Sequence, residues 1–346
     1  MVQLLITGGA GFIGSHACLT FLEAGNSLVV IDNYSNSSEL SLNRVAELAP
    51  FKDTDQFKII EGDIGNKDDL EKVFKSAPNP IEAVIHFAGL KAVSESLQNP
   101  LKYWDVNLNG SCCLIDAMRK HNCRTIVFSS SATIYGYPKN IPITEKSPIN
   151  PINPYGHTKA AVEQLLADVG LSEEGWRIAC LRYFNPVGAH QSGLIGEDPN
   201  GVPNNLFPFV SQVAIGRLSE LEVFGSNWPT PDGSAIRDYI HVMDLVEGHL
   251  AALNCLLDND PQFLTCNLGS GKGFSVLEII KAFEVISGKE IPFKIAPRRP
   301  GDVACSVADI KKAQRILGWE PKRDLHNMCQ DAWHWQQLNP SGYLGK

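Results

Sequence analysis

Apolar residues in the first half of the chain fall in short continuous runs: VQLLIT (2–7), SLVVID (27–32), FKIIEG (57–62), EAVIHFAG (82–89), RTIVFSSS (124–131) and WRIACLRYF (176–184). Between them, over 13–24, 67–76, 97–121 and 155–169, apolar positions recur at three- and four-residue spacing. That is the period of a helix with one buried face. A strand that is apolar throughout is buried on both sides, so strands of this kind alternating with helices predict a parallel sheet covered on both faces. Right-handed crossovers follow. The expected fold class is therefore α/β, a doubly wound parallel sheet. The first run opens the chain without a basic segment before it and leads straight into a glycine-rich turn, so it reads as a strand and not as a signal peptide.

After Phe184 the alternation stops. NPVGAHQSGLIGEDPNGVPNN (185–205) is rich in Gly, Pro and Asn and reads as loop. Shorter helices and strands are expected beyond it, in a smaller C-terminal α/β domain. The division is 1–184 for a dinucleotide-binding domain and 185–346 for a substrate domain, with segments near 238–268 as candidates to return to the first sheet. The Pro, Lys and Asn cluster at 138–153 reads as a long surface loop.

Composition narrows the functional classes. The 346 residues are 44% hydrophobic and 20% charged, with a formal net charge of −8. An acidic balance argues against a nucleic-acid surface, which clusters Lys and Arg. No apolar run approaches the ~18 residues that span a bilayer. Nine cysteines, an odd number with no CxxC pair, sit mostly in apolar surroundings. They read as small core residues of a protein in a reducing cytoplasm.

TGGAGFIG places Gly8, Gly11 and Gly14 directly after a strand and at the start of a helix. Glycines there let the backbone turn tightly and approach a pyrophosphate, while the helix N-terminus offers N–H groups and partial positive charge. Asp32 closes the second strand-like run, where a carboxylate accepts ribose hydroxyls. It would repel a 2′-phosphate, and no Arg follows it, so NAD is favoured over NADP. This makes the sheet Rossmann-type. The alternative for the glycines is a tight turn with no ligand, and for Asp32 a strand-end cap.

Tyr155 and Lys159, in PYGHTK, lie four apart on a helix and so share a face. A phenol with a pKa of about 10 is a poor base at neutral pH. A neighbouring ammonium and a cationic nicotinamide favour its phenolate, which can then take a proton from a sugar hydroxyl. Ser131, at the end of the SSS run, is the candidate to hold the same oxygen. His190, His241 and Asp244 match no zinc spacing and read as structural hydrogen-bonding groups.

With these motifs the chain resembles the UDP-glucose 4-epimerase family of the extended short-chain dehydrogenase/reductase superfamily. The resemblance runs nearly end to end, through LLITGGAGFIGSH, HFAGLKAV, FSSSATIYG, NPYGHTK, LRYFNPVGAH, GVPNNLFPFV, AIRDYIHVMDL, APRRPGDV and AWHWQ. It implies Tyr155 as base, Lys159 on the nicotinamide ribose and Ser131 as the orienting hydroxyl. It implies NAD contacts at Phe12, Ile13, Asp32, Asn33, Asn36, Asp63, Ile64, Phe87, Ala88, Gly89, Lys91, Asn107, Ser129 and Phe184. UDP-hexose contacts are implied at Asn185, Asn205, Leu206, Phe224, Arg237, Arg299 and Asp302. Forked Arg donors suit diphosphate oxygens, and Asp302 suits ribose hydroxyls. Ser306 stands where some members of the family carry a bulky tyrosine, so the sugar pocket is expected to be wide enough for an N-acetyl group.

The activity implied is reversible C4 epimerisation of UDP-galactose and UDP-glucose in galactose metabolism, by a homodimer formed through 97–121 and 155–169. The rival readings are a nucleotide-sugar 4,6-dehydratase, an ordinary dehydrogenase that exchanges its cofactor, and a non-catalytic NAD-binding sensor. Ala132 and Thr133 stand where dehydratases of this fold carry an Asp–Glu pair, which disfavours elimination. A sensor would not need Tyr155 and Lys159 together.

Overall fold

Six strands, β1 (Gln3–Thr7), β2 (Ser27–Asp32), β3 (Phe57–Glu61), β4 (Ala83–His86), β5 (Thr125–Ser131) and β6 (Arg177–Tyr183), coincide with the six apolar runs. Seven more follow: β7 (Asn185–Val187), β8 (Leu221–Phe224), β9 (Ile236–His241), β10 (Phe263–Leu268), β11 (Gly273–Ser275), β12 (Phe293–Ala296) and β13 (Cys305–Ser306). The structure, a computed structural model, describes residues 2–50, 54–201, 203, 205–299 and 301–343. One seven-stranded sheet has the order β10-β6-β5-β4-β1-β2-β3, and every pairing in it is parallel. β10 thus lies beside β6, far from it in sequence.

The helices are α1 (Phe12–Glu23), α2 (Glu39–Leu48), α3 (Lys67–Ser76), α4 (Val93–Gln98), α5 (Pro100–Tyr103), α6 (Gly110–Lys120), α7 (Pro154–Ser172), α8 (Leu206–Ala214), α9 (Val242–Asp258), α10 (Val276–Ser287), α11 (Lys311–Leu317) and α12 (Leu325–Leu338). Side chains of α1, α2, α9 and α11 join one core on the first sheet, and those of α3, α6 and α7 join the core on its other face. α1 packs against both the sheet and α9, which is why Ala17, Cys18, Leu19 and Phe21 are all fully buried. Each such Leu or Phe contributes roughly 1.5–3 kcal/mol. A third core, from β8, β9, α8, α10 and α12, includes Phe207, Tyr239, Phe283 and Trp333. There β7, β9, β11 and β13 form a small sheet, and β8 pairs with β12.

Three local expectations are corrected. The helix expected over 97–121 is broken: Asn99 leaves helical geometry (φ −128°, ψ 56°) before Pro100 restarts it. A proline lacks the N–H and disfavours helix in the residue before it. A π-helical stretch, Trp104–Asn109, then runs into α6. α2 was not expected, because its polar run Ser35–Glu39 looks like loop. Its signal is the Ser38 cap, which accepts the Leu40 N–H, with Glu39 in the first turn. The 138–153 segment is not wholly surface, since Ile143 is buried and bridges to Ala308. Five cysteines (18, 123, 180, 266, 329) are buried, Cys112 is exposed, and none of the nine is in a disulfide. Among the described residues no helix is long and apolar enough to cross a membrane.

The C-terminal part of the chain returns to the first core. Arg44 of α2 lies over the rings of Trp335 (5.7 Å) and Tyr343 (5.1 Å). Its Nη1 donates to the Leu194 carbonyl (2.8 Å) and Asn339 Oδ1 (2.7 Å). Tyr343 in turn pins the loop after β7: its hydroxyl accepts the Gly196 N–H (3.1 Å), and its own N–H reaches Asp198 (2.8 Å). Arg44→Met keeps the stem and loses these contacts. It should cost about 1–2 kcal/mol, seen as a lower midpoint in thermal unfolding; an unchanged midpoint would refute the clasp.

Candidate active site

The glycine turn is a place where side chains do not fit. Gly8 has φ +70°, and a Cβ there would lie 2.7 Å from the Ala88 nitrogen; at Gly14 it would lie 2.1 Å from the Gly8 carbonyl oxygen. Gly11 caps α1 in extended conformation with no side-chain cap, so no side chain competes for the first N–H groups at Phe12 and Ile13. Asp32 secures this turn: Oδ2 accepts the Ala10 N–H (2.9 Å), and Oδ1 accepts the Tyr34 N–H (2.9 Å) and the Ser37 hydroxyl (2.8 Å). Oδ1 is thereby filled, while Oδ2 retains capacity for a ribose hydroxyl. Next to it, Asn33 donates to Asp63 (2.7 Å), while Asn36 is exposed on the same turn. Ile64 is buried, close to Gly110.

The loop after β4 folds against β1, with the Phe87 and Ala88 N–H groups both on the Thr7 carbonyl (3.1 Å each). Gly89 has φ +154°, and a Cβ on it would meet Asn107 Oδ1 at 3.0 Å. Asn107, presented by the π-helical stretch, braces this loop against α7. Its Oδ1 accepts the Leu90 N–H (2.8 Å), and its Nδ2 donates to the Leu90 carbonyl (3.1 Å) and the Thr158 hydroxyl (3.0 Å). Lys91 extends from the same loop to Glu197 (2.9 Å).

Tyr155, Lys159 and Ser131 come together where β5 ends. Asn153 caps α7 by accepting the Gly156 N–H (2.8 Å), with Pro154 at the first helical position. Tyr155 is 8% and Lys159 5% exposed. Lys159 donates to the Ser129 carbonyl (2.7 Å) and lies 4.9 Å from the centre of the Phe128 ring and 5.9 Å from that of Tyr155. The Ser131 hydroxyl accepts the Thr133 N–H (3.2 Å) and hydroxyl (2.9 Å) and lies close enough to Tyr155 to favour its phenolate. Ser129 is hydrogen-bonded to Tyr183, and Phe184 is buried next in the chain. Burial pushes the Tyr155 phenol up, with the Ser131 hydroxyl opposing. It pushes the Lys159 ammonium down to about 8, with Glu163 opposing. Burial thus drives the two pKa values apart, disfavouring phenolate and ammonium alike, so the charged forms depend on the groups that oppose it, Ser131 and Glu163.

A second cluster is cationic. Arg237 on β9 and Arg299 share the carboxylate of Asp302 (3.6 and 3.1 Å). Two guanidinium groups around one carboxylate leave a net positive site for a diphosphate. The Arg299 guanidinium covers the Phe224 ring at 4.5 Å. Asn185 on β7 pairs with Tyr239 of β9, and Ser306 on β13 pairs with Arg237. Asn205 caps the start of α8 at Leu206, and its side chain donates to Glu197 (2.8 Å). Glu197 therefore joins Lys91 of the first cluster to Asn205 of the second. Its role was not read from the sequence, because Lys91 is 106 positions away and Asn205 is joined to it across an irregular loop.

Other polar groups serve the scaffold. His241 faces Asp331 (3.0 Å), Asp244 pairs with Arg323, and His190 bonds Ser192 (2.8 Å). Also missed was the buried pair Glu163–Arg182 (2.6 Å). The signal for it was legible: an Arg inside the apolar run IACLRYF and a Glu on the buried face of α7.

Residues 5–332 match the family model described as GDP-mannose 4,6 dehydratase. UDP-glucose 4-epimerase of Bacillus subtilis (strain 168) is 55% identical over 342 residues, covering 99% of each chain. A bifunctional UDP-glucose 4-epimerase and UDP-xylose 4-epimerase of Pisum sativum is 51% identical over 345 residues, covering 99% of this chain and 98% of its own. Among solved structures, UDP-glucose 4-epimerase from Bifidobacterium longum in complex with NAD+ and UDP superposes with TM-score 0.94 at 47% identity, covering 99% of this chain and 100% of its own. The chain belongs to the family that the matching model describes and, within it, to the UDP-glucose 4-epimerases.

Proposed function

We propose that the protein inverts C4 of a UDP-hexose reversibly, interconverting UDP-galactose and UDP-glucose in galactose metabolism, with NAD as resident cofactor. The observation that carries this is the meeting of the Tyr155 and Ser131 hydroxyls with the Lys159 ammonium at the end of β5. The residues present fit NAD: a glycine cradle that a Cβ would fill, an uncapped helix N-terminus and the Asp32 carboxylate. When bound, the nicotinamide accepts hydrogen from C4 as hydride and returns it. Tyr155 takes the proton of the 4-hydroxyl and gives it back, Ser131 holds that oxygen, and Lys159 favours the phenolate.

Inversion requires the 4-keto sugar to present its opposite face. The nucleotide must then be held firmly and the hexose loosely. Arg237, Arg299 and Asp302 supply the firm end, with Asn185, Asn205, Leu206 and Phe224 around it. Elimination of water, as in a dehydratase, needs an added acid and base beside the sugar, and Ala132 and Thr133 after Ser131 provide neither. A cytoplasmic homodimer is part of the proposal. Leu97 and Leu101 are 51% and 83% exposed on the first segment named for the interface, Leu171 is 88% exposed on α7 just past the second, and free thiols suit a reducing compartment. The small, half-buried Cys305 and Ser306 support acceptance of N-acetylated sugars as well.

Purified protein given UDP-galactose and no added cofactor should form UDP-glucose, followed by chromatography. Tyr155→Phe should lower kcat by about 10³-fold; no product even with NAD supplied would overturn the reading. Gly14→Ala should purify without NAD, detected by release of nucleotide on denaturation, and normal NAD content would count against the cradle. The ratio of kcat/KM for UDP-N-acetylglucosamine to that for UDP-galactose should exceed ~10⁻⁴, since an open pocket does not discriminate more strongly.

A further inference from the structure

Behind the reacting groups lies a buried charge that the proposed reaction does not use. Glu163 is 4% and Arg182 4% exposed. Arg182 grips the carboxylate with Nε (3.0 and 3.2 Å) and Nη2 (2.6 Å), and the Ser130 hydroxyl donates to the same carboxylate. Arg182 is held from its other side, since Nη1 donates to the Tyr135 hydroxyl (3.1 Å) and the Glu145 carbonyl (3.2 Å). Tyr135 in turn donates to Asn267 of β10 (2.7 Å). Burying an ion pair this deeply brings little stability over an apolar replacement, which points to another reason for its presence.

The register supplies one. Ser130 of β5 pairs with Arg182 of β6, and strand side chains alternate, so Ser130 points toward α7, Ser129 turns its side chain away and offers its carbonyl, and Ser131 ends the strand beside Tyr155 at the start of α7. Glu163 follows Lys159 by one turn and Tyr155 by two, on the same face of α7. We infer that Glu163 is a positioning residue: held by Arg182, it grips Ser130 and sets β5 against α7 so that the Ser129 carbonyl meets Lys159 and the Ser131 hydroxyl meets Tyr155. This rests on the roles of Tyr155 and Lys159 proposed above.

The same carboxylate is an anion for Lys159. The groups around that ammonium are Tyr155 and Glu163 on α7, the Ser129 carbonyl and Phe128 ring on β5, His86 on β4, and Asn107 by way of Gly89. Arg182 stands behind Glu163. His86 is kept neutral, pushed down to about 3 by burial and by Lys159. Glu163 opposes the burial of Lys159, so its removal lowers the pH at which Lys159 loses its proton.

The test uses NAD-loaded wild type and the Glu163→Gln, Glu163→Asp and Ser130→Ala variants, with kcat and KM for UDP-galactose followed against pH. Glu163→Gln should lower kcat about tenfold or more, with KM and NAD content unchanged. The alkaline limb of its kcat profile should move to lower pH, and Glu163→Asp should return the limb toward its wild-type position. Ser130→Ala keeps the ion pair and should lower kcat several-fold without moving the limb. The inference is overturned if folded Glu163→Gln keeps kcat within about twofold and its limb unmoved, or if it loses kcat only together with its NAD. Should Glu163→Gln fail to fold, Ser130→Ala decides, and an unchanged kcat there overturns the inference. An inactive wild type would instead remove the epimerase reading and this inference with it.

Discussion

The burial of one ammonium group governs the arrangement of the reaction centre. Lys159 is 95% removed from solvent, and a charge in such a place costs several kcal/mol unless it is compensated. Compensation comes from a backbone carbonyl at the end of β5, a ring face on the same strand and a carboxylate one turn along α7. Each of these requires α7 to lie over β5 in one register. The same register brings Tyr155 to Ser131. The loops after β1, β2 and β4 end on the same edge of a parallel sheet, where no side chain from the strands themselves blocks a ligand.

Against this rigid centre the end proposed for the nucleotide is built differently. Its charges belong to short strands and loops, and its arginines already share a carboxylate. Releasing one guanidinium to a diphosphate leaves Asp302 partnered by the other, so binding does not orphan a charge. The contrast between a fixed, buried cluster and an exchangeable ionic pair suits the proposed substrate, whose two ends would have different tasks. The match to a dehydratase family model agrees with a shared scaffold, whereas Ala132 and Thr133 separate the chemistry.

Much of the first sheet was legible because its strands are apolar throughout and its turns carry chemically constrained residues. Six strands, α3 and the Tyr155–Lys159 face could be read directly. What could not be read has identifiable causes. Pro100 and the π-helical stretch interrupt a sound helical period, and this is what aims Asn107 at Leu90 and Thr158. α2 is hidden by a polar entry. Glu163–Arg182 left a visible mark, charges on buried faces, but pairing them needs the β5–β6 register. Glu197 left no mark, because Lys91 is brought to it only by tertiary packing and Asn205 reaches it across a loop without periodicity. The roles of Phe224, Asp302 and Ser306 came from resemblance; spacing alone is silent about them.

The clasp of Arg44 between Trp335 and Tyr343 has a consequence for the order in which the molecule is made. α2 leaves the ribosome before α12, yet its guanidinium waits for Asn339, 295 positions further along the chain, and for Trp335 and Tyr343 on either side of it. β10, too, joins the sheet only after most of the chain has emerged. The glycine cradle can therefore form early, whereas the loop carrying Glu197 is pinned only when Tyr343 arrives. The glycine cradle and the loop that carries Glu197 are therefore completed at different stages of synthesis.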